Sequence, residues 1–420
     1  MKKQLLAILL ILTFFTLNAQ KYTIEIHTDN RAASLLMPST EYSNWKANDE
    51  FKNKAIREAL FKEIYKKFDD EFDFIFLILN EDDKPSKLPD GELIQVANNV
   101  SGIGLNIFDD SSNYGSSGKL KAVIHLTKRI YLLGGPTLHE LLHNWANFGI
   151  PTEGTDDGTN FVNNYQPHWG FTGGNTKGQL GGFKQSTLVD KGAGSYSVEP
   201  FGNNENEGYV RPYSQLELYL MGMIPITDVA DFDVFTGVSN FDTSGDPYTF
   251  NATKKTTYTA SSLEALLGKR NPSSNTSQKN FRALVMVLTD TALTNEQWKV
   301  VNDHSRVFGS PAPDVTLIYN FWEATNGKGT IKTDELNNVT LGTIKNAAIE
   351  NIVIYPNPTD DFIQFYGLNK PQGYSIYNIH GKEMITGNVD NNQKIEVKSI
   401  KSGIYFIKTE NGKRFKFTRK

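Results

Sequence analysis

The spacing of apolar residues divides the chain into segments of different period. Tyr22-Thr23-Ile24-Glu25-Ile26 alternates at period two and predicts a strand. Residues 49–68 set Phe51, Ile56, Leu60, Ile64 and Phe68 on or near one face of a helix. The run from Phe72 to Leu79 is almost uninterrupted, aromatic and rich in Ile, which predicts a buried strand; polar Asn80 to Pro85 carries the chain to the surface. Residues 100–119 are Gly-rich and polar, the composition of an irregular loop with short strands, and Lys121 to Leu126 forms the next strand.

Gly134-Gly135-Pro136-Thr137 then breaks the chain before a helix expected to stop at Gly149-Ile150-Pro151. Thr137 stands at its N-cap, with Glu140 in the capping-box position, and Trp145 and Phe148 pack it inward. Residues 155–208, dense in Gly, Asn, Asp and Thr, predict a long loop-built lobe around a cleft. Helical pattern resumes over 213–223. A strand and short helix follow in 256–267, a strand over 281–288, and helices over 294–308 and 314–325. From Ile349 the pattern changes to short β-rich runs at 351–358, 361–366, 374–379 and 403–408. The fold class so predicted is an α+β body followed by a small all-β sandwich.

The two ends add a destination. Lys2-Lys3 precede an apolar run from Leu5 to Leu17, and Leu17-Asn18-Ala19 has the small residues of a cleavage site. This run is too short for a hydrocarbon core of ~30 Å, so residues 1–19 are read as a secretory signal and the mature chain is expected to start near Gln20. No other long apolar run occurs, so no membrane-spanning segment is expected. Residues 20–48 are a candidate pro-segment. The 420 residues suit two or three domains.

There is no cysteine, which excludes disulfides, a lipidated cysteine and thiolate ligands. The net charge of −4 is uneven: residues 349–420 hold 11 Lys/Arg against 7 Asp/Glu, whereas the body without the signal lysines holds 30 against 40. So acidic a body argues against a nucleic-acid partner.

The chemistry is concentrated in Thr137-Leu138-His139-Glu140-Leu141-Leu142-His143. On a helix, His139 and His143 project from one face and can share a zinc ion, while Glu140 can reach a water on that ion as general base. Two histidines leave a catalytic zinc short of its usual third protein ligand. HExxHxxGxxH fails, because Ala146 and Gly149 occupy the required positions. His168 and Glu153 remain as candidates, His168 being preferred.

Asp156-Asp157 could supply oxygen ligands to calcium, although a solvated turn fits the same residues. Tyr213 and Tyr219 are candidate oxyanion donors, against simple packing, and Met221 is a candidate residue beneath the metal, against a core methionine. His27, His125, His304 and His380 stand alone and read as structural or solvated.

The His168-Trp169 pair, followed by Gln179-Leu180-Gly181-Gly182, resembles leishmanolysin-type metzincins, in which a distant third histidine precedes Trp and then a Met-turn. Leu180 stands where that methionine would be. The resemblance covers residues 137–182 and implies a zincin-like metallopeptidase domain over 20–345. His139, His143 and His168 would be its zinc ligands, Glu140 its catalytic base, and a protein or peptide its substrate. The alternatives are a glycoprotein-directed HExxH…E peptidase with Glu153 as third ligand, and a non-catalytic surface binding protein of the same shape.

In the tail, Tyr355-Pro356-Asn357-Pro358, the late Gly403-Ile404-Tyr405 strand and the basic ending Lys413-Arg414-Phe415-Lys416 resemble the type A sorting domain of the type IX secretion system. That resemblance covers residues 349–420. It implies export through the periplasm to the surface or beyond, with the type IX secretion machinery as partner.

Overall fold

The computed structural model describes residues 21–155, 161–162, 164–202, 211–313, 320–336, 353–366, 368, 370–379, 381–410 and 414–420. The signal, Asp156-Asp157 and His380 lie outside them. The chain divides into two compact units, Met1–Val339 and Thr340–Lys420.

The first unit is built on a seven-stranded sheet. Strands β1 (Thr23–Ile26) and β2 (Ala33–Leu36) form a hairpin, and helices α1 (Ser39–Asn48) and α2 (Lys54–Ile64) follow. Next come β3 (Phe74–Leu79), β4 (Gly91–Gln95), a small antiparallel pair β5 (Ala97–Asn98) and β6 (Phe108–Asp109), and β7 (Ala122–Leu126). Far along the chain, β16 (Asn280–Thr289) and β17 (Thr330–Lys332) complete the sheet. Its order is β1-β2-β16-β3-β7-β4, with β17 also on β16. The interior pairs β2/β16, β16/β3 and β3/β7 are parallel, while β4 is an antiparallel edge strand.

Period two explains why β3 reads as one apolar run. Phe74, Phe76 and Ile78 enter one core, and Ile75, Leu77 and Leu79 enter the other, on the opposite face. Trp45 of α1 and Leu60, Phe61 and Ile64 of α2 cover the second face. Burying each of the α2 side chains stabilises the unit by roughly 1.5–3 kcal/mol. The first face is covered by α3 (Tyr131–Gly134), α4 (Thr137–Leu142), α5 (Gln215–Met221) and α7 (Asn295–Phe308).

Three expectations are corrected. The helix expected over 49–68 is shorter, spanning only Lys54–Ile64 as α2, because Asp49 takes a left-handed conformation (φ 51°) at the end of the preceding α1 and Asn53 caps α2 by accepting from Ala55 N and Ile56 N. The stretch 20–48 does not stand apart from the body but is woven into its sheet. Its β2 pairs in register with β16, and Ala33 and Leu35 are fully buried.

The lobe beyond residue 155 is more regular than its composition suggests. Besides the short pairs β8/β9 (Gly154–Thr155, Phe161–Val162) and β10/β11 (Gly173–Gly174, Phe183–Lys184), it contains β12 (Val189–Gly192) and β13 (Ser195–Val198). These join β14 (Phe232–Asp242) and β15 (Tyr248–Tyr258) in a four-stranded antiparallel sheet. The long β14/β15 ladder supplies the order, and Phe171, Phe183, Phe235 and Phe250 fill one side of it. Short helices α6 (Ala260–Leu267) and α8 (Phe321–Ala324) complete the unit.

The second unit is all-β. Strands β18 (Val353–Tyr355), β19 (Phe362–Tyr366) and β22 (Lys394–Glu396) form one sheet. Strands β20 (Gln372–Asn378), β21 (Glu383–Val389), β23 (Gly403–Thr409) and β24 (Arg414–Arg419) form another. Ile363, Phe365, Ile376, Ile407 and Phe417 share one core, an arrangement compatible with a sandwich.

Candidate metal centre

Helix α4 is buried along its whole length, with Leu138, Leu141 and Leu142 in the core beneath the sheet. That packing leaves His139, Glu140 and the C-capping His143 on the side facing a cavity of about 480 Å³. The expected capping box is absent. Pro136 precedes the helix, Thr137 Oγ1 donates to Tyr131 O at 2.7 Å, and the Glu140 side chain lines the cavity instead. The α-helix also ends earlier than expected, at Leu142.

Three imidazoles converge here. His139 Nε2 lies 3.2 Å from His143 Nε2 and 3.2 Å from His168 Nε2. The three could hold a metal ion, since their ligand atoms all fall within 4.8 Å of one another. Three nitrogens at zinc-bond length around a tetrahedral ion stand about 3.3 Å apart, so the observed spacing suits such an ion.

The far ring nitrogens fix the tautomers. His139 Nδ1 faces Gln179 O at 2.7 Å, and His143 Nδ1 faces Ala146 O at 3.3 Å. A carbonyl can only accept, so each Nδ1 carries the proton and the Nε2 lone pairs point inward. Lone pairs so placed repel unless a cation lies among them. Burial pushes His143 well below the usual histidine range, helped by the neighbouring His139 and His168, and burial pushes His168 down to about 4. Both are therefore neutral, the ligating form, at neutral pH.

Glu140 is 6% exposed. Burial, with Glu92 and Asp90 adding repulsion, pushes its carboxyl up to about 8 in the metal-free chain. Strand β4 passes directly over it: a Cβ on Gly91 would lie 2.7 Å from Glu140 Cγ and from Pro136 Cγ. From the same strand Gln95 Nε2 donates to His143 O at 3.3 Å and Asn144 O at 3.1 Å, holding the helix end.

His168 arrives on a loop fastened from behind. Its carbonyl accepts from Thr152 Oγ1 at 3.0 Å, and its N–H donates to Tyr165 O at 3.0 Å. Two residues on, Gly170 (φ 49°) lies so close to the Glu153 carbonyl that a Cβ would fall 2.0 Å from it. The fully buried Glu217 of α5 is the fastening point. Its Oε1 accepts from Trp169 Nε1 and Leu180 N, each at 2.9 Å, and its Oε2 accepts from Ser214 N at 2.7 Å. One carboxylate therefore ties the residue after His168 to the residue after Gln179, whose carbonyl orients His139.

Several candidates fall elsewhere. Glu153 is buried, but its Oε2 accepts from Val238 N of β14 at 3.0 Å and it is not in the histidine cluster. Tyr213 donates its hydroxyl to Leu138 O at 2.9 Å and Tyr219 is buried in the core, so neither faces the cavity; Met221 is a core residue too. His125 points to the opposite face of the sheet, stacked on Phe51 and accepting from Trp45 Nε1. Leu180, at the Met-turn position, is fully buried and contributes through its backbone.

Sequence reasoning gave no role in the site to Gly91, Gln95 or Glu217, nor to the Gln179 carbonyl behind His139. Glu217 alone left a trace, as a lone acid inside the apolar run Leu216-Glu217-Leu218-Tyr219-Leu220-Met221.

The tail alone matches a family model. Residues 353–420 match the secretion system C-terminal sorting domain. No curated protein matches the chain. The sorting domain marks a secreted or cell-surface protein and makes the type IX secretion machinery its partner. No helix among the described residues is long and apolar enough to cross a membrane.

Proposed function

We propose that this protein is an exported zinc-dependent endopeptidase of the zincin kind, with His139, His143 and His168 as metal ligands and Glu140 as general base. One observation carries the reading: three inward-facing imidazole nitrogens beside a buried carboxylate in a solvent-open cavity. Zinc, when bound, supplies Lewis acidity towards a water and a substrate carbonyl.

The chain supplies the proton transfers. Glu140 takes a proton from the attacking water and later delivers it to the leaving amine. A peptide substrate is supported by β4, an edge strand bordering the cavity, along which an extended chain could add as a further strand. The HExxH…E alternative loses its support, since Glu153 is engaged with β14.

The test is elemental analysis of the purified protein with and without a chelator, paired with digestion of a broad peptide library by wild type and Glu140→Gln. The expected result is one zinc per chain in both proteins and hydrolysis reduced about 10²–10⁴-fold in the variant. Unchanged cleavage by Glu140→Gln, or a wild type without bound metal, refutes the proposal.

A further inference from the structure

A second cavity, of about 190 Å³, is bordered by Asn144 and Trp145, the two residues that follow His143. It has room for roughly six waters. Its lining includes two cationic side chains, Lys121 and Arg270, and no carboxylate.

Arg270 is 6% exposed and fixed in place. Its Nε donates to Leu220 O at 3.1 Å, and its Nη1 donates to Ser277 Oγ at 2.5 Å and to Pro272 O. These acceptors are all neutral, so its charge is uncompensated among them, and burial lowers its pKa to about 10. The backbone around it is held by the reciprocal Ser101/Asn271 bridge.

Lys121 is largely buried, and burial lowers its pKa. The carboxylate that acts on it, Asp73, is already engaged. Asp73 Oδ1 receives Lys119 Nζ at 3.1 Å and Gln278 Nε2 at 2.9 Å, and Oδ2 receives Arg282 N at 2.9 Å. Among the described residues the Lys121 ammonium meets no acceptor. A fold seldom buries cationic side chains without a counter-charge, and here two border one cavity whose lining holds no carboxylate.

We propose that this cavity binds a small oxyanion, a carboxylate or a phosphate, with Lys121 and Arg270 as its cationic partners. The inference does not depend on the peptidase reading, because none of these side chains belongs to the histidine cluster.

The test is calorimetric titration of the full chain with inorganic phosphate and, separately, acetate, at constant ionic strength in chloride. Saturable binding of either probe supports the site, and the stronger one identifies the source. No saturable binding of either overturns it.

Lys121→Met should weaken binding at least about tenfold, and Lys121→Arg should keep it within a few-fold. Equal affinity in Lys121→Met overturns the assignment. Should Lys121→Met fail to fold, Ser277→Asp tests the same point. It leaves Arg270 an acceptor and places a carboxylate in the cavity, so it should abolish binding; retained binding overturns the proposal.

Discussion

Removing the Glu217 carboxylate should damage the metal centre although Glu217 touches none of the three histidines. Glu217→Ala strips the acceptor from three buried donors, Trp169 Nε1, Leu180 N and Ser214 N. Each buried N–H left unpaired costs about 1–3 kcal/mol, so the three together cost about 3–9 kcal/mol, offset in part by the relief of an expensively buried carboxyl. Glu217→Gln keeps an oxygen for Trp169 and Leu180 and gives up only the Ser214 bond, which should cost about 1–2 kcal/mol.

Metal affinity should follow the same order. With the Glu217 side-chain anchors on Trp169 and Leu180 gone, His168 and the Gln179 carbonyl behind His139 are held less firmly, and zinc affinity should fall at least about tenfold, the usual effect of losing an outer hydrogen bond to a ligand. Urea denaturation of the chelator-treated protein reads the first quantity, and competition with a chromophoric chelator reads the second. A Glu217→Ala protein within about 1 kcal/mol of wild type and with unchanged zinc affinity would show that the loop holds its shape without Glu217.

Other perturbations separate the remaining claims. His168→Ala should lose zinc while Glu153→Ala keeps it, by elemental analysis; the reverse result would reinstate Glu153 as third ligand. Gly91→Ala should push a methyl into Glu140 and lower peptide hydrolysis about 10²-fold at unchanged zinc content, and undiminished kcat would mean that β4 yields freely.

His125 sets an acid limit. Its folded pKa, lowered by burial to about 3, lies below the unfolded value of about 6.5. The unfolded chain therefore binds the extra proton between these values, and stability falls with falling pH by up to about 1.4 kcal/mol per unit across that window. His125→Phe should be less stable at neutral pH, through loss of the Trp45 acceptor, yet show a shallower slope between about pH 4 and 6; parallel urea-midpoint curves would refute this.

The features legible in the sequence were those set by local period. β3 announced itself because both of its faces are buried, and His139, Glu140 and His143 because a fixed helical spacing does their chemistry. What escaped depends on partners distant in the chain. Strand β14 packs on both faces only over Phe232–Phe235 and then alternates with polar, exposed residues while β15 supplies its ladder, so its pattern resembles loop. Gly91 looks like any glycine until Glu140 is seen beneath it, 49 positions on.

The same distinction runs through the metal centre. Helix α4 receives two imidazoles and Glu140 from the large sheet's own packing, and β4 clamps its end through Gln95. The third imidazole comes from a loop with almost no regular structure. Besides the bonds to Thr152 and Tyr165, Glu217 grips that loop from α5, and Glu153, just upstream, is pinned to β14. Glu153 thus serves the site by anchoring the path to His168, which explains why an acid at that position, attractive as a ligand by spacing alone, is buried facing away. If that account is right, Glu153→Gln, which preserves an acceptor for Val238 N, should leave zinc affinity near wild type. Glu153→Ala should weaken it by a few-fold without abolishing it. Complete loss of metal in both variants would return Glu153 to the coordination sphere.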